Sequence, residues 1–374
     1  MASIFRKLTK KFFIISNLLV SGLFLLGCYA YCFNPTTWWF LGLLTLGAFY
    51  LLLVLLIFLL FWLFVKPQWS LITVLTIAVA YKPLTQMLPL RFSAGFEKKK
   101  ERGAFRVMTW NVEHFDILEH KTHPETKEKM LNLLNEYQPD IACFQEMVGG
   151  DKPDAINYVP GMTSRLDFTD YHYSYNTKLD FDGNHHFGII TFSRFPIVNK
   201  QTVSFYPHDY NSIFQYIDIV KGADTLRVFN IHLQSLKFSA DNLQYIDKPS
   251  VGEEGDMQKS KSVLSKLKRG FLKRQVQADR IRESISQSPY PVIVCGDFND
   301  VPNSYAYHTI GKGLKNAFAE RGVGLGRTFS GISPTLRIDN IFASDQFLVE
   351  QYTRVSKKLS DHFPVFADLQ VKKK

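Results

Sequence analysis

From residue 12 to residue 33 the chain carries no charged side chain, and after Asn34-Pro35-Thr36-Thr37 a second charge-free, mostly apolar run extends from Trp38 to Val65. Each run exceeds the roughly 20 residues that cross a bilayer core. Such a chain cannot be a single water-exposed globule. Arg6, Lys7, Lys10 and Lys11 precede the first run, as in a secretory signal. The apolar stretch is nevertheless too long for a signal, and another follows after four residues, so a membrane hairpin is the better reading. A third uncharged run, Trp69 to Tyr81, reaches spanning length only by continuing past Lys82 and Pro83 to about Leu90. Residues 1–90 are therefore read as a transmembrane region with spans at about 12–33, 38–65 and 69–90.

The basic residues ahead of the first span put the N-terminus in the cytoplasm. Three spans then leave the remainder outside, and two leave it inside. Lys98, Lys99, Lys100 and Arg102 pull towards inside. The expectation is an integral, multi-pass protein with an extracytoplasmic (periplasmic) soluble domain and the lipid bilayer as partner of its N-terminal helices.

Charge must be partitioned before it is interpreted. Of 44 basic and 34 acidic side chains, 33 and 32 lie from residue 103 onward. The net charge of +10 is thus membrane-flanking, and the soluble part lacks the positive field of a dedicated nucleic-acid binder. Cys143 and Cys295 sit inside apolar runs and read as small core residues. No Cys/His metal spacing occurs.

Residues 91–102 form a polar juxtamembrane linker, and residues 103–374 form one soluble domain. Strands are expected at Phe105–Val112, Asp140–Phe144, Gly188–Ser193, Ile213–Val220, Thr225–His232, Pro291–Cys295, Arg337–Ala343 and Phe363–Val371, with a hairpin at Lys221-Gly222-Ala223-Asp224. Helices are expected at Glu125–Tyr137 and about Lys259–Ser286, the second with a candidate break at Gly270. The class is mixed α/β, with a two-layer sheet sandwich flanked by helices as its natural form.

Polar clusters fall at the ends of these strands: Trp110-Asn111, Gln145-Glu146, His232, Gly296-Asp297-Phe298-Asn299, Asp339 inside an apolar run, and Ser360-Asp361-His362. A sheet brings such ends to one rim. Carboxylate, amide and imidazole groups gathered there suit a hard cation and water attack on phosphorus. A buried Asp339 needs a partner, and an imidazole can supply it.

This ordered series resembles the endonuclease/exonuclease/phosphatase superfamily over about Phe105 to Leu369. The resemblance implies a four-layer α/β/β/α sandwich and a divalent metal, Mg²⁺ or alternatively Mn²⁺. It implies that Glu146, Asn111 and Asp361 hold the metal. It implies that Asp297 orients or deprotonates the attacking water, that Asn299 positions Asp297, and that His362, held by Asp339, contacts the phosphate. His232 stands where family members touch a phosphate oxygen. The activity implied is nuclease-type phosphodiester hydrolysis. A phospholipid or small-molecule phosphate hydrolase of the same fold is the alternative, and a non-catalytic membrane scaffold is a third. The substrate partner is accordingly nucleic acid or phospholipid.

Other polar residues carry blander expectations. Asp300 reads as a turn residue, and Trp110 as packing behind Asn111. His114, His120, His185 and His186 read as loop residues. Gln234 is a candidate phosphate contact. An insert from Lys237 to Phe271 ends in a basic stretch: Met257 to Arg282 holds nine basic residues and one acidic one. That stretch is a solvated helix face, or else a surface for anionic lipid or nucleic acid.

Overall fold

A computed structural model describes residues 2–92, 95–115, 122–123, 125–152, 155–180, 184–204, 213–248 and 255–372. His120 and the last two lysines lie outside the described residues.

The N-terminal region is helical: α1 (Ala2–Cys28), α2 (Pro35–Trp38), α3 (Leu41–Val65), α4 (Ser70–Val79) and α5 (Tyr81–Met87). Two of these, α1 and α3, are long and apolar enough to cross a membrane. The third run does not make one helix. It breaks at Ala80 into α4 and α5, where Lys82-Pro83 interrupts the apolar sequence. The helices form a bundle. Phe13 meets Phe61 and the Thr45 hydroxyl bonds the Gly27 carbonyl, so α1 and α3 are antiparallel. Lys10 lies over Trp69, Thr73 bonds Asn17, and the Tyr29 hydroxyl bonds the Val79 carbonyl, so α4 runs alongside α1 in the same direction. Much of the bundle's outer surface is apolar and exposed, including Phe12, Ile15, Leu19, Ile57, Leu60 and Leu75.

Among the described residues, twelve strands form two six-stranded sheets. In chain order they are β1 (Phe105–Asn111), β2 (Ile141–Gly150), β3 (Asp170–Tyr175), β4 (His185–Ser193), β5 (Ile197–Ser204), β6 (Ile213–Lys221), β7 (Asp224–His232), β8 (Val292–Asp297), β9 (Leu314–Asn316), β10 (Asp339–Ser344), β11 (Phe347–Arg354) and β12 (Val365–Val371). One sheet is ordered β11-β12-β1-β2-β4-β3, the other β5-β6-β7-β8-β10-β9. Each contains one parallel pair, β1 with β2 and β7 with β8. Gly222 at φ 63° turns the β6–β7 hairpin between the paired Lys221 and Asp224.

The sheets face each other across a dry core built from Val107, Ile141, Cys143, Ile217, Ile293 and Cys295, among others. The cysteines are buried there, as expected. Helix α6 (Glu125–Tyr137) covers the outer face of the first sheet with Met130, Leu131, Leu133 and Leu134, assisted by α7 (Val159–Arg165). After α8 (Ala240–Asp247), helix α9 (Asp256–Ser286) covers the second sheet with Ala278, Ile281 and Ile285, alongside α10 (Tyr305–Gly311). Helix α11 (Ala317–Arg321) packs beside β11. The result is a four-layer α/β/β/α sandwich preceded by the apolar helices.

Gly270 does not break α9. A Cβ at Gly270 would stand 2.5 Å from a Leu236 methyl, so this glycine permits close packing inside a continuous helix.

The bundle and the sandwich are joined by specific contacts. Asn303 donates to the Pro83 carbonyl at 3.0 Å, Tyr31 stacks on His308, and the Arg337 guanidinium reaches the carbonyls of Gln86, Met87 and Leu325. A Cβ on Gly42 of α3 would fall 2.8 Å from the Phe271 ring of α9.

Candidate active site

Strand register assembles the polar ends. In the second sheet Asp297 is the direct partner of His232 on β7 and of Asp339 on β10. In the first sheet Asn111 ends β1 opposite Gln145. Strand β2 does not stop at Phe144 as expected. It continues to Gly150 through an irregularity between Phe144 and Met147, where Glu146 adopts a left-handed φ of 54°. Such a bulge re-aims a side chain. Here it turns Glu146 towards Asn111, whose amide donates to it at 3.3 Å.

The two sheets meet at this rim. The Asn111 amide also donates to Asp297 at 3.2 Å. His232 Nε2 lies 3.6 Å from both Glu146 and Asp297, and it is buried with no hydrogen-bond partner among the described residues. The Asn299 backbone N–H donates to Asp297 at 2.7 Å and its side-chain amide at 3.1 Å. Asn299 holds this double contact from a left-handed φ of 48°. Gly296, at φ 149°, is required by close approach: a Cβ there would stand 2.0 Å from the Ile231 carbonyl oxygen.

His362 closes the group. Its Nδ1 is 2.9 Å from the Asp339 carboxylate, and its Nε2 faces Asp297 at 3.7 Å. Trp110 is more than packing, because its indole N–H donates to the His362 carbonyl at 3.0 Å. Thr328 Oγ1 accepts the N–H groups of Ile338 and Asp339, and the Phe329 ring stands edge-on to the imidazole. Asp339, Asp297 and His362 are all nearly fully buried.

The electrostatics follow from that burial. Burial disfavours a cationic His362, but the Asp339 and Asp297 carboxylates outweigh it and push its pKa up to about 10. Burial likewise pushes Asp297 up to about 7, against the pull of His362. Burial lowers His232, so its ring stays neutral near neutral pH.

Beside this chain lies a group of oxygen donors. Glu113 accepts the Asp361 backbone N–H at 3.1 Å, and both carboxyls are raised, Glu113 by burial and then by Asp361, Asp361 by burial and by Glu146. Glu113, Asp361 and Glu146 act on one another electrostatically, and with Asn111 they are hard donors of the kind a divalent cation takes. The residues therefore fit such an ion. One ligand atom each from Asp297, Asp339 and His362 also lies within 4.8 Å of the others. In that trio, however, His362 Nδ1 is hydrogen-bonded to Asp339, and its Nε2 faces Asp297 at ion-pair distance.

All eight residues singled out from the sequence (Asn111, Glu146, His232, Asp297, Asn299, Asp339, Asp361 and His362) are brought to this rim. Glu113 and His114 were not foreseen. They follow Asn111 with positive φ, and His114 Nε2 is 3.6 Å from Glu146. The signal available was their position directly after a strand that ends in a site residue. Asp300 is not a turn residue alone: it is buried and ion-paired with Arg274 of α9 at 3.0 Å. Gln234 turns to α9, where Lys273 donates to its side chain and Gln277 accepts its backbone N–H. His185 and His186 belong to β4. His186 is buried, bonded to Asp180 and Asp151 and stacked on Tyr175, so it supports the sheet.

Comparison with known proteins agrees with this architecture. The sequence profile described as Endonuclease/Exonuclease/phosphatase family matches residues 108–362, and a domain of unknown function, DUF8431, matches residues 10–87. No curated protein matches the chain. Among solved structures, an endonuclease/exonuclease/phosphatase from Beutenbergia cavernae is 19% identical at TM-score 0.49, covering 72% of each chain. A family protein from Leptotrichia buccalis is 18% identical at TM-score 0.49, over 71% of this chain and 100% of that one. D. rerio TDP2 complexed with a single-strand DNA product is 14% identical at TM-score 0.50, over 72% of this chain and 99% of that one. At these identities the likeness is one of fold.

Proposed function

Because the chain belongs to the endonuclease/exonuclease/phosphatase family, we propose that it is a membrane-anchored, divalent-metal-dependent phosphoesterase that hydrolyses phosphodiester bonds by direct attack of water. The observation that carries this reading is the Asp339–His362 pair facing Asp297, set against the oxygen-donor group at Glu146 and Asn111.

Each residue then has a role that its surroundings support. Asp297, buried and pushed up towards neutrality, holds the attacking water and takes its proton. Asn299 fixes the Asp297 carboxylate through two hydrogen bonds, and Asn111 steadies it from the other sheet. His362, kept cationic by Asp339, faces the phosphate with Nε2, donates a hydrogen bond where negative charge grows, and supplies a proton to the leaving oxygen. The unpartnered Nε2 of the neutral His232 contacts a second phosphoryl oxygen. Glu146, with Asn111, Asp361 and Glu113, would hold Mg²⁺ or Mn²⁺. That ion would neutralise charge on the phosphoryl oxygens.

The reaction forms one P–O bond from water, breaks one P–O bond to the leaving alcohol, and returns the water's proton to that alcohol. A non-catalytic scaffold would have no need of the left-handed Glu146 conformation or of a buried Asp339–His362 pair beside Asp297.

The helix bundle is read as the anchor. Arg6, Lys7, Lys10, Lys11 and Lys66 lie towards the end remote from the sandwich, and positive charge favours the cytoplasmic side. The sandwich then lies on the opposite face of the membrane. The test is hydrolysis of bis(4-nitrophenyl) phosphate by the purified full chain with and without Mg²⁺ or Mn²⁺. Turnover that needs the ion and is abolished in Glu146→Ala and His362→Ala is expected. Turnover equal in native and variant proteins sinks the proposal.

A further inference from the structure

One wall of the catalytic cleft is supplied by the membrane helix itself. The cleft, about 280 Å³, is lined by Asn111, Glu146, Asp297 and His362. Apolar side chains line it too, among them Leu236, Phe238 and Leu243 from the segment after β7, Phe329 and Ile332 from the loop before β10, and Leu46 from α3. A water-soluble phosphate ester has no use for six apolar side chains beside a charged site.

The apolar wall continues out of the cleft. Leu46, Tyr50, Leu53 and Ile57 stand at i, i+4, i+7 and i+11 of α3, on one face of the helix. Tyr50, Leu53 and Ile57 are exposed, and this stripe leads into the surface that the anchor presents to lipid. The Tyr50 hydroxyl bonds Ser333 at 2.9 Å, which fixes the helix against the cleft rim. Its neighbour Ile332 is 51% exposed and has φ 57°. A β-branched residue held left-handed in water is costly on both counts. The exposure cost falls if Ile332 meets an apolar chain at the mouth of the cleft.

A second cleft of about 310 Å³ shares Glu146, Ser235 and Lys237 with the first and is lined further by His114, Phe187 and His232. Glu146 thus stands between two approaches, and the histidines line the second. Cations that would track a nucleic-acid backbone are sparse here. Among the described residues, and beyond the histidines, Lys237 and Arg274 are the basic residues that line either cleft, and Arg274 is paired with Asp300.

We infer that the substrate is a lipid phosphodiester resident in the same membrane: its phosphate rests at Asp297 and His362, its acyl part stays along Leu46 and the exposed α3 stripe, and its polar head enters the second cleft. This rests on the phosphoesterase reading above.

The full chain, reconstituted into vesicles of phosphatidylethanolamine, phosphatidylglycerol and sphingomyelin with Mg²⁺, is assayed for lipid hydrolysis, for bis(4-nitrophenyl) phosphate and for single- and double-stranded DNA. Lipid hydrolysis is expected. Leu46→Asn and Ile332→Asn are expected to lower the ratio of lipid to soluble-diester kcat/KM at least tenfold. Asparagine tolerates the left-handed backbone, so the second variant folds even where the first does not. Cleavage of the soluble diester with every vesicle lipid intact overturns the lipid assignment and leaves the phosphoesterase reading standing. Cleavage of nothing overturns that reading too. Preferred cleavage of DNA, or a lipid-to-diester ratio unmoved in Ile332→Asn, also overturns the lipid assignment.

Discussion

Asp339 and Asp297 face each other across the antiparallel β8–β10 pair, and the His362 ring reaches both, at 2.9 Å and 3.7 Å. Two buried carboxylates one strand apart are tolerable because one imidazolium serves both. This arrangement makes Asp339 a positioning residue with a pH signature. In Asp339→Asn the carboxylate that most favours the cation is gone, so the pKa of His362 falls. The protonated form is then lost at lower pH, and the alkaline limb of the kcat/KM profile moves down. A fall of about 10²-fold in kcat/KM is expected. An unmoved alkaline limb would show that His362 does not act as the acid.

Removing oxygen donors should weaken metal binding in a graded way. Glu146→Ala is expected to abolish Mn²⁺ binding measured calorimetrically. Glu113→Gln, which alters a residue at the edge of the donor group, is expected to weaken it about 10- to 100-fold. Equal affinity in native and Glu146→Ala proteins would place the ion elsewhere.

Gly296→Ala tests the backbone beneath the site. The added methyl meets the Ile231 carbonyl oxygen on the neighbouring strand and sits on a φ of 149°. A loss of about 3 kcal/mol or more is expected from strain and overpacking together. It should appear as a lowered Tm of the purified chain, and a Tm within one degree of native would contradict the geometry.

Arg337 is buried, stacked on Phe318, and spends its donors on carbonyls of α5 and of the loop at Leu325. No carboxylate is among its hydrogen-bond partners. Burial alone pulls its pKa down. Arg337→Met is expected to loosen the junction between bundle and sandwich, read as faster proteolysis between residues 88 and 104. Unchanged proteolysis would mean that Asn303 and Tyr31 suffice to hold the junction.

The interior of the fold was legible in the sequence because central strands, apolar on both faces, write continuous runs. Ile141–Phe144 and Val292–Cys295 are of that kind. The strands that sequence reading passed over are β3, β5, β9 and β11, and these are the four sheet edges. An edge such as Ile197–Ser204 (IVNKQTVS) has one face and one flank in water, so its pattern is diluted by polar residues. The site was legible where a short motif flanks a central strand, as at Asp297 after β8 and His362 before β12. It was obscure where backbone geometry does the aiming: nothing in Gln145-Glu146 announces a bulge, and nothing in Glu113 announces that a positive φ brings it back to Asp361. The docking of α3 onto the cleft was not legible at all, because a residue such as Leu46 reads the same against lipid, core or substrate.

The duplicated parallel pairs have a developmental consequence for the molecule. The β1–β2 pair contributes an amide and a carboxylate, Asn111 and Glu146. The β7–β8 pair contributes an imidazole and a carboxylate, His232 and Asp297. Neither sheet owns a working centre. The last strand, β12, pairs with β1 and is preceded by His362, so the centre is complete only when the last strand of the sandwich has paired with the first. The candidate site and the finished sandwich therefore form together.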